Sequence, residues 1–287
     1  MEKIELLKYR DVGDVLQDTI KFVSQNIRTI IQIILPYGLP AVILQGIFSG
    51  LWQYKFKPLQ EQMASGGITE PSEILDLLTQ AFGIEYFAVL GISVLVSAVF
   101  QAVTLTYLDQ YQNSLTGEVD PKSVSNVALS KIFKVIGFSI LFGIIITFAS
   151  MLGLIAFIIG ALVVAVYLGV RFSLLMPAAV IENKSFGESM SRSTELVKDD
   201  FWNVLLSLFV VGIGGAVVGA VVSLPGSITQ NYATSLVPSV IGGILSAVGS
   251  AMTAIISSVG VGFIYFGLIA KKESRTSSSL IDEIGTN

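Results

Sequence analysis

The sequence predicts an all-α fold, a polytopic membrane protein with six transmembrane helices and additional amphipathic helices along the cytoplasmic face. Hydrophobic residues make up 53% of the 287 residues and charged residues only 13%, about half of the roughly 25% that is usual in globular domains. The apolar residues are gathered in long uncharged segments, and the basic residues fall in alternate connections between those segments. This pattern indicates a multi-pass integral membrane protein.

The longest apolar segment, 132–180, indicates a hairpin of two spans. Lys134 and Arg171 are its only charged residues. Its uncharged interior, 135–170, would extend about 54 Å as one helix at about 1.5 Å per residue, whereas a bilayer core is about 30 Å thick. We therefore expect the chain to turn back around residues 150–153.

The other spans follow from the remaining apolar segments. In order, the six predicted spans are 29–52, 84–108, 132–150, 153–176, 202–224 and 239–270. They form one transmembrane domain, 1–270, followed by a polar cytoplasmic tail at 271–287. The first 28 residues are polar and amphipathic and lack the pattern of a cleavable signal peptide.

Lysine and arginine predict the orientation. Fifteen of the 17 basic residues lie in the N-terminal segment, the second and fourth connections and the C-terminus, and only Lys55 and Lys57 lie on the other side. Because connections rich in Lys and Arg stay in the cytoplasm, both termini are expected there.

An internal repeat is predicted from the alignment of 11–32 with 185–206, at an offset of 174 residues. Gly13 then pairs with Gly187, and Thr19 pairs with Ser193. Each copy has an apolar arc with helical periodicity, formed by Val12, Val15, Leu16, Ile20, Phe22, Val23 and Ile27, and by Phe186, Met190, Leu196, Val197 and Phe201. Such helices lie in the plane of the interface, although any helix beside a membrane is commonly amphipathic without shared ancestry.

A third copy is predicted to begin at Asp120-Pro121, with proline at the first helical position. The chain then divides into three units, about 11–108, 120–180 and 185–270. Each unit comprises an in-plane helix followed by two spans. In the unit at 185–270, Ser185 and Glu188 have the spacing of a capping box.

Candidate functional residues are few. Arg171 lies inside its span, where a charge is costly, and an ion pair with Glu182 or Glu188 is favoured over a role in substrate binding. Pro36 and Pro40 kink or break the first span, and broken spans mark binding sites in many transporters. Gln32 and Gln101 either join helices through hydrogen bonds or line a path.

The residue types that are missing restrict the chemistry. The sequence has no histidine and no cysteine, and no aspartate or glutamate lies in the interior of a predicted span, since Glu85 is at the outer edge of the second. Coupled pumps usually need an intramembrane carboxylate, so the pattern argues against one. We expect no catalytic residues, no metal site, no cofactor and no nucleic-acid partner.

Small residues predict close helix contacts in the last two spans. Gly215 and Gly219 are four residues apart, a spacing that lets helix backbones approach. Packing within the chain is favoured, and a homo-oligomer joined through these glycines is the alternative. The expected partners are membrane lipids and other membrane proteins.

One stretch carries a resemblance to a known family, through Arg171, Pro177, Glu182, Glu188, Arg192, Ser193 and Leu196. It resembles the membrane domain of glycerophosphoryl diester phosphodiesterases and related six-span bacterial proteins. The opening 10–26 is similar to the usual start of these proteins in Bacteroidetes. The resemblance implies an all-helical fold in a bacterial inner membrane. It does not imply the phosphodiesterase activity, which resides in a separate soluble domain for which no segment here is long enough.

The sequence thus predicts a non-enzymatic scaffold or accessory for other membrane components. The alternative is an uncoupled transporter or pore for a small solute or lipid. A continuous polar cavity lined by Gln32, Gln101 and Arg171 would favour transport, whereas a filled core would favour the scaffold.

The predicted topology can be tested with single cysteines, because the chain has none of its own. Cysteines replacing Ser65 and Ser227 should react with an impermeant thiol reagent added to intact cells. Those replacing Ser125 and Ser278 should react only after permeabilisation. Labelling at position 125 in intact cells would contradict the orientation.

Overall fold

The computed structural model describes residues 3–65, 75, 79, 82–154 and 157–285, and this part of the chain is helical and contains no strand. Its helices are α1 (Val12–Ala64), α2 (Ile84–Asn113), α3 (Pro121–Leu154), α4 (Phe157–Arg171), α5 (Leu175–Ile181), α6 (Phe186–Val197), α7 (Phe201–Asn231) and α8 (Leu236–Gly285). Six stretches of the described residues are long and apolar enough to cross a membrane. The prediction of an all-α fold with six spans is confirmed.

The chain contains two compact units, each assembled from segments that are distant in sequence. Unit 1 comprises Met1–Ile34, Ala98–Gly215 and Ile255–Asn287, and unit 2 comprises Leu35–Ser97 and Ala216–Ala254. The boundary in α1 falls one residue before Pro36. The predicted consecutive units, 11–108, 120–180 and 185–270, remain a hypothesis about ancestry.

The core of unit 1 is built around Phe22 of α1. Its ring makes edge-to-face contacts with Tyr111 of α2 and Phe263 of α8, with centroids 4.9 and 5.6 Å apart. Phe22 and Phe263 are fully buried, and aromatic pairs in this geometry stabilise a core beyond their buried area. One side chain therefore joins three helices.

The N-terminal segment before α1 is fixed to unit 1. The Ile4 amide donates to the Tyr111 hydroxyl at 2.9 Å, and the Lys3 ammonium donates to the Ser114 carbonyl at 2.6 Å. Arg10 is only 6% exposed; its guanidinium pairs with Asp18 at 2.7 Å and lies 4.6 Å from the centre of the Phe263 ring. A buried arginine with this many partners holds the segment in place.

Unit 2 is held together by glycines that let helix backbones approach. A Cβ atom on Gly219 of α7 would lie 2.8 Å from the Gly249 carbonyl oxygen of α8, closer than real Cβ atoms come. Gly243 of α8 faces Gly46 and Gly50 of α1 in the same way. Gly219 thus serves packing within the chain, the favoured interpretation.

Two of the predicted in-plane helices are not separate helices, which corrects the sequence analysis. Residues 12–28 are part of the uninterrupted helix α1, and 121–131 are part of α3. Residues 14–35 contain neither glycine nor proline, so nothing in the backbone interrupts α1 before Pro36. The helix predicted to begin at Asp120-Pro121 does begin there. The Asp120 carboxylate accepts from the amides of Lys122 and Ser123 at 3.2 and 3.1 Å, and Pro121 is the first residue of α3.

The burial pattern of α6 nevertheless matches that of α1. The buried residues of α6 are Ser189, Ser193, Leu196 and Val197. Subtracting the offset of 174 gives Val15, Thr19, Phe22 and Val23, which are the buried residues of the corresponding segment of α1. Ile20 departs from the predicted arc, since it is exposed. The match supports the repeat hypothesis independently of residue identity.

The central hairpin comprises α3 and α4. Helix α3 continues through the predicted turn position at 150–153 to Leu154, and α4 begins at Phe157; residues 155–156 between them lie outside the described residues. A Cβ on Gly153 would lie 2.7 Å from the Ala161 Cα, which shows how closely the two helices approach. At the other end of the chain, the predicted polar tail continues α8 as far as Gly285.

Candidate functional site

The candidate site is a set of polar side chains in unit 1 around Glu182, at the end of α5. One Glu182 oxygen accepts from the Arg192 Nε at 2.9 Å and from the Tyr265 hydroxyl. The other oxygen lies 2.9 Å from the Lys184 ammonium. We call Glu182, Lys184, Arg192 and Tyr265 the Glu182 cluster.

Local structure places Glu182 where these donors converge. Helix α5 ends at Ile181, and Asn183 adopts a left-handed conformation with φ of 53°, which asparagine tolerates better than most residues. The chain reverses there, so Lys184 points back to Glu182. Arg192 comes from α6 and Tyr265 from α8, so the carboxylate joins α5, α6 and α8.

Further ion pairs connect α8 to the segment around α6. Lys271 pairs with Asp200, which is buried, and Lys272 pairs with Glu195. The Lys271 ammonium also lies 4.3 Å from the centre of the Tyr9 ring. The C-terminal part of unit 1 is thereby tied both to α6 and to the N-terminal segment.

Two lysines of α3 bind the last turn of α5, which ends beside Glu182. The Lys131 ammonium donates to the Val180 carbonyl at 2.6 Å, and the Lys134 ammonium donates to the Ala179 carbonyl at 3.1 Å. These are carbonyls of the last turn of α5, which attract cations. All four basic segments of the chain therefore meet at one end of unit 1, which we call the basic end.

The surroundings shift the pKa of the carboxyl group of Glu182 downward. Partial burial opposes ionisation, but the hydrogen bonds from Tyr265, Lys184 and Arg192 outweigh it and hold the pKa below its ordinary value of 4.5. The Glu195 pKa is also lowered, chiefly by Lys272. The carboxyl group of Glu182 is therefore ionised at neutral pH, which suits a role in holding the helices together.

Ser193 forms hydrogen bonds with backbone groups at a break in the fourth span. The helix is interrupted at 172–174, between α4 and α5. The Ser193 hydroxyl donates to the Arg171 carbonyl at 2.8 Å and accepts from the Leu174 amide at 3.1 Å. Ser193 is completely buried, and it supplies partners for backbone groups that would otherwise be costly to leave unpaired.

The ion pair expected for Arg171 is not formed with either predicted partner. The guanidinium donates instead to the Tyr167 hydroxyl at 2.6 Å, one turn earlier on α4. Glu182 is occupied by its own cluster, and Glu188 accepts from the Ser185 amide at 2.8 Å, as expected in a capping box. Both carboxylates already have nearer donors, which is why the prediction was wrong.

The residues predicted in the first span are not brought to the Glu182 cluster. Gln32 is exposed, as are Pro36 and Pro40. Both prolines lie inside α1, which continues through them, so they interrupt no helix.

Gln101 lies beside a cavity within unit 1, of about 310 Å³. The cavity is lined by Gln101, Leu105, Ser139, Phe142, Gly143, Phe172, Ser173, Leu175, Met176, Pro177, Ser257, Ser258 and Val261. Neither Gln32 nor Arg171 lines it. Of the three side chains expected along a path, the structure places only Gln101 at this cavity.

Sequence reasoning missed Tyr265 and the cavity serines. Tyr265 stands in an apolar span, and its partner is 83 residues away in sequence, so no local pattern could identify the pair. In the part of the chain that the structure describes, no group of three or more acidic residues is arranged to hold a metal ion.

Comparison with known proteins supports the resemblance. Residues 145–278 match the family model described as the membrane domain of glycerophosphoryl diester phosphodiesterase. Comparisons with curated proteins and with solved structures give no match. The matched segment contains the whole Glu182 cluster and Ser193, whereas the opening 10–26 lies outside it. Together with the six apolar helices, the match identifies a multi-pass integral membrane protein.

Replacing Ser193 by alanine should destabilise the protein. Ser193→Ala removes the partner of the buried Leu174 amide, which should cost about 1–3 kcal/mol. Ser191→Ala is the control, since Ser191 is exposed on the same helix. Thermal unfolding of the purified protein in detergent measures both. Equal melting temperatures for the two variants would contradict the assigned role.

The Glu182 cluster should make stability depend on pH. Because the Glu182 pKa is lowered on folding, its stabilisation is present above the ordinary pKa and is lost as the pH falls through the lowered one. Glu182→Gln should therefore lower the melting temperature at neutral pH, and the difference from the unmodified protein should shrink once the pH is well below 4.5. Glu118→Gln, at an exposed position, should have little effect throughout. A pH-independent difference for Glu182→Gln would show that the charge is not responsible.

Proposed function

We propose that this chain is a non-enzymatic scaffold or accessory for other components of a bacterial inner membrane, with both termini in the cytoplasm. Its docking surface for another helical membrane protein is the hairpin formed by α3 and α4. The rest of unit 1 holds that hairpin through the basic end.

The observation that carries this proposal is the contrast in burial within unit 1. In α8, Val259, Phe263 and Tyr265 are completely buried. In the hairpin, Phe148 is 65% exposed and Ile159 is 73% exposed. Large apolar side chains are exposed on both of its helices, namely Phe133, Ile144, Met151, Leu152, Leu162 and Val163. Exposed apolar side chains of this kind face lipid or a partner protein, and van der Waals packing is one of the forces by which helices associate within a membrane.

The basic end supports the cytoplasmic location of the termini. Lysines from three basic segments make contacts there, namely Lys131, Lys184 and Lys271, and the N-terminal segment joins them through the Tyr9 ring beside Lys271. Segments that meet at one end of a unit lie on the same side of the membrane, and basic connections stay in the cytoplasm. The family match is to a membrane domain rather than to a catalytic one, which is consistent with a role without chemistry.

Purification in mild detergent tests the scaffold role. We expect a membrane protein to co-purify in fixed proportion with the tagged chain. A photoreactive phenylalanine analogue at position 148 should give an adduct of discrete higher mass with that same protein. Position 209 is the matched control, because Phe209 of α7 is 63% exposed but lies outside the hairpin. It should cross-link only to lipid.

The alternative function, an uncoupled carrier or pore, is favoured by the cavity beside Gln101. Flux of uncharged solutes into phosphatidylcholine vesicles containing the purified protein tests it. Solute-specific flux, together with lipid adducts alone at position 148, would overturn the scaffold proposal in favour of transport.

A further inference from the structure

The cavity in unit 1 lies within the membrane-spanning part of the chain. Ser139 is seven residues into the predicted span 132–150, about 10 Å from its end at 1.5 Å per residue. Gly143, one turn further along α3, also lines the cavity and is exposed. The cavity therefore opens sideways toward the lipid rather than only toward water.

Ser173 in the cavity wall donates to the Val170 carbonyl at 2.8 Å, but four other polar side chains of the lining have no hydrogen-bond partner among the described residues. Gln101, Ser139, Ser257 and Ser258 line the cavity, and none of them forms a side-chain hydrogen bond to any residue that the structure describes. Ser258 is only 7% exposed. An unsatisfied polar group away from water costs free energy.

Hydroxyl groups elsewhere in the spans are of two kinds. Those of Thr104 and Thr106 in α2 are buried without a hydrogen-bond partner among the described residues, but neither lines the cavity. Ser223 of α7, in contrast, donates to the Ala220 carbonyl of its own helix at 3.0 Å, and Thr147 of α3 donates to the Gly143 carbonyl at 2.8 Å. This is the usual way in which a helix satisfies such a group. The serines at 139, 257 and 258 leave their hydroxyls available to the cavity instead.

The charge and size of the cavity define the ligand class. Among the described residues, no charged side chain lines it, and a charged group without a counterion is costly at this depth. Its volume of about 310 Å³ is at the lower end of the range of roughly 300–1,000 Å³ for ligand sites. Apart from Ser173, whose hydroxyl is bound to its own helix, the remaining walls are apolar and include Phe142 and Phe172, whose ring centroids are 6.3 Å apart.

We propose that this cavity binds the uncharged, hydroxyl-bearing head of a membrane lipid together with the first part of its alkyl chain. The head exchanges hydrogen bonds with Gln101, which both donates and accepts, and with the three serines. The chain enters from the bilayer past Gly143. This site is independent of the scaffold role, which concerns the outer surface of the hairpin.

The test uses three photoreactive probes with one long alkyl chain and different heads: an alcohol, a carboxylate and an ammonium. The full-length protein is reconstituted in phosphatidylcholine vesicles, and labelled peptides are mapped by mass spectrometry. The alcohol should label the cavity segments of α3 and α8 saturably and in competition with excess unlabelled alcohol. The carboxylate and the ammonium should label them at least several-fold less.

Two variants locate the site. Gly143→Leu should reduce alcohol labelling several-fold by narrowing the entrance. Gly137→Leu is its control, because a Cβ at either glycine meets no atom within 4 Å while Gly137 does not line the cavity. Gln101→Leu keeps the apolar volume and should remove the preference for the alcohol over the two charged probes. Melting temperatures confirm that each variant is folded.

Three results would overturn the proposal. Equal labelling by all three heads would show that the cavity does not select an uncharged one. Non-saturable alcohol labelling would mean that the cavity holds water only. Unchanged labelling in a folded Gly143→Leu protein would place the probe elsewhere on the surface.

Discussion

The basic end of unit 1 depends on the ion pairs and hydrogen bonds of the ionised Glu182 carboxylate. Its carboxylate is partly buried and receives donors from Lys184, Arg192 and Tyr265. A carboxylate in that position is unfavourable unless its oxygens are well satisfied, and removing one partner leaves the others uncompensated. The arrangement is therefore stable only when α5, α6 and α8 are all in place, which makes the packing of these helices cooperative.

The need to pair carboxylates and helix ends also explains why basic residues are concentrated at the basic end of unit 1. Charges near a membrane can satisfy helix ends as well as face water. Lys131 and Lys134 bind the last carbonyls of α5, and Lys271 binds Asp200 at the start of α7. The basic residues on which the proposed orientation rests thus also hold these connections in place. The same side chains serve the proposed topology and the local stability.

Features that depend on the composition of long segments could be predicted from the sequence. The uncharged interval 135–170 was too long for one span, and the structure has a hairpin there. The start of α3 at Asp120-Pro121 followed from local capping chemistry. Continuity of α1 was not foreseen, because amphipathic periodicity does not distinguish a separate interfacial helix from an extension of a span.

Pairings across the fold were also beyond sequence reasoning. Arg171 bonds to Tyr167 because the carboxylates expected for it are satisfied by closer donors, and that competition depends on three-dimensional packing. Serine is common in apolar helices, where it usually bonds to its own backbone. Nothing in the sequence distinguishes Ser257 or Ser258 from such residues until a cavity is seen beside them.

The basic end and the cavity are connected through the break in the fourth span. The Glu182–Arg192 pair fixes α6, and α6 carries Ser193, whose hydroxyl holds both the Arg171 carbonyl and the Leu174 amide. Phe172 and Ser173, inside that break, are part of the cavity wall. A continuous helix would satisfy its own backbone at 172–174 and would not need Ser193. The break therefore persists because α6 is held against it, so the shape of the cavity depends on ion pairs at the end of the unit.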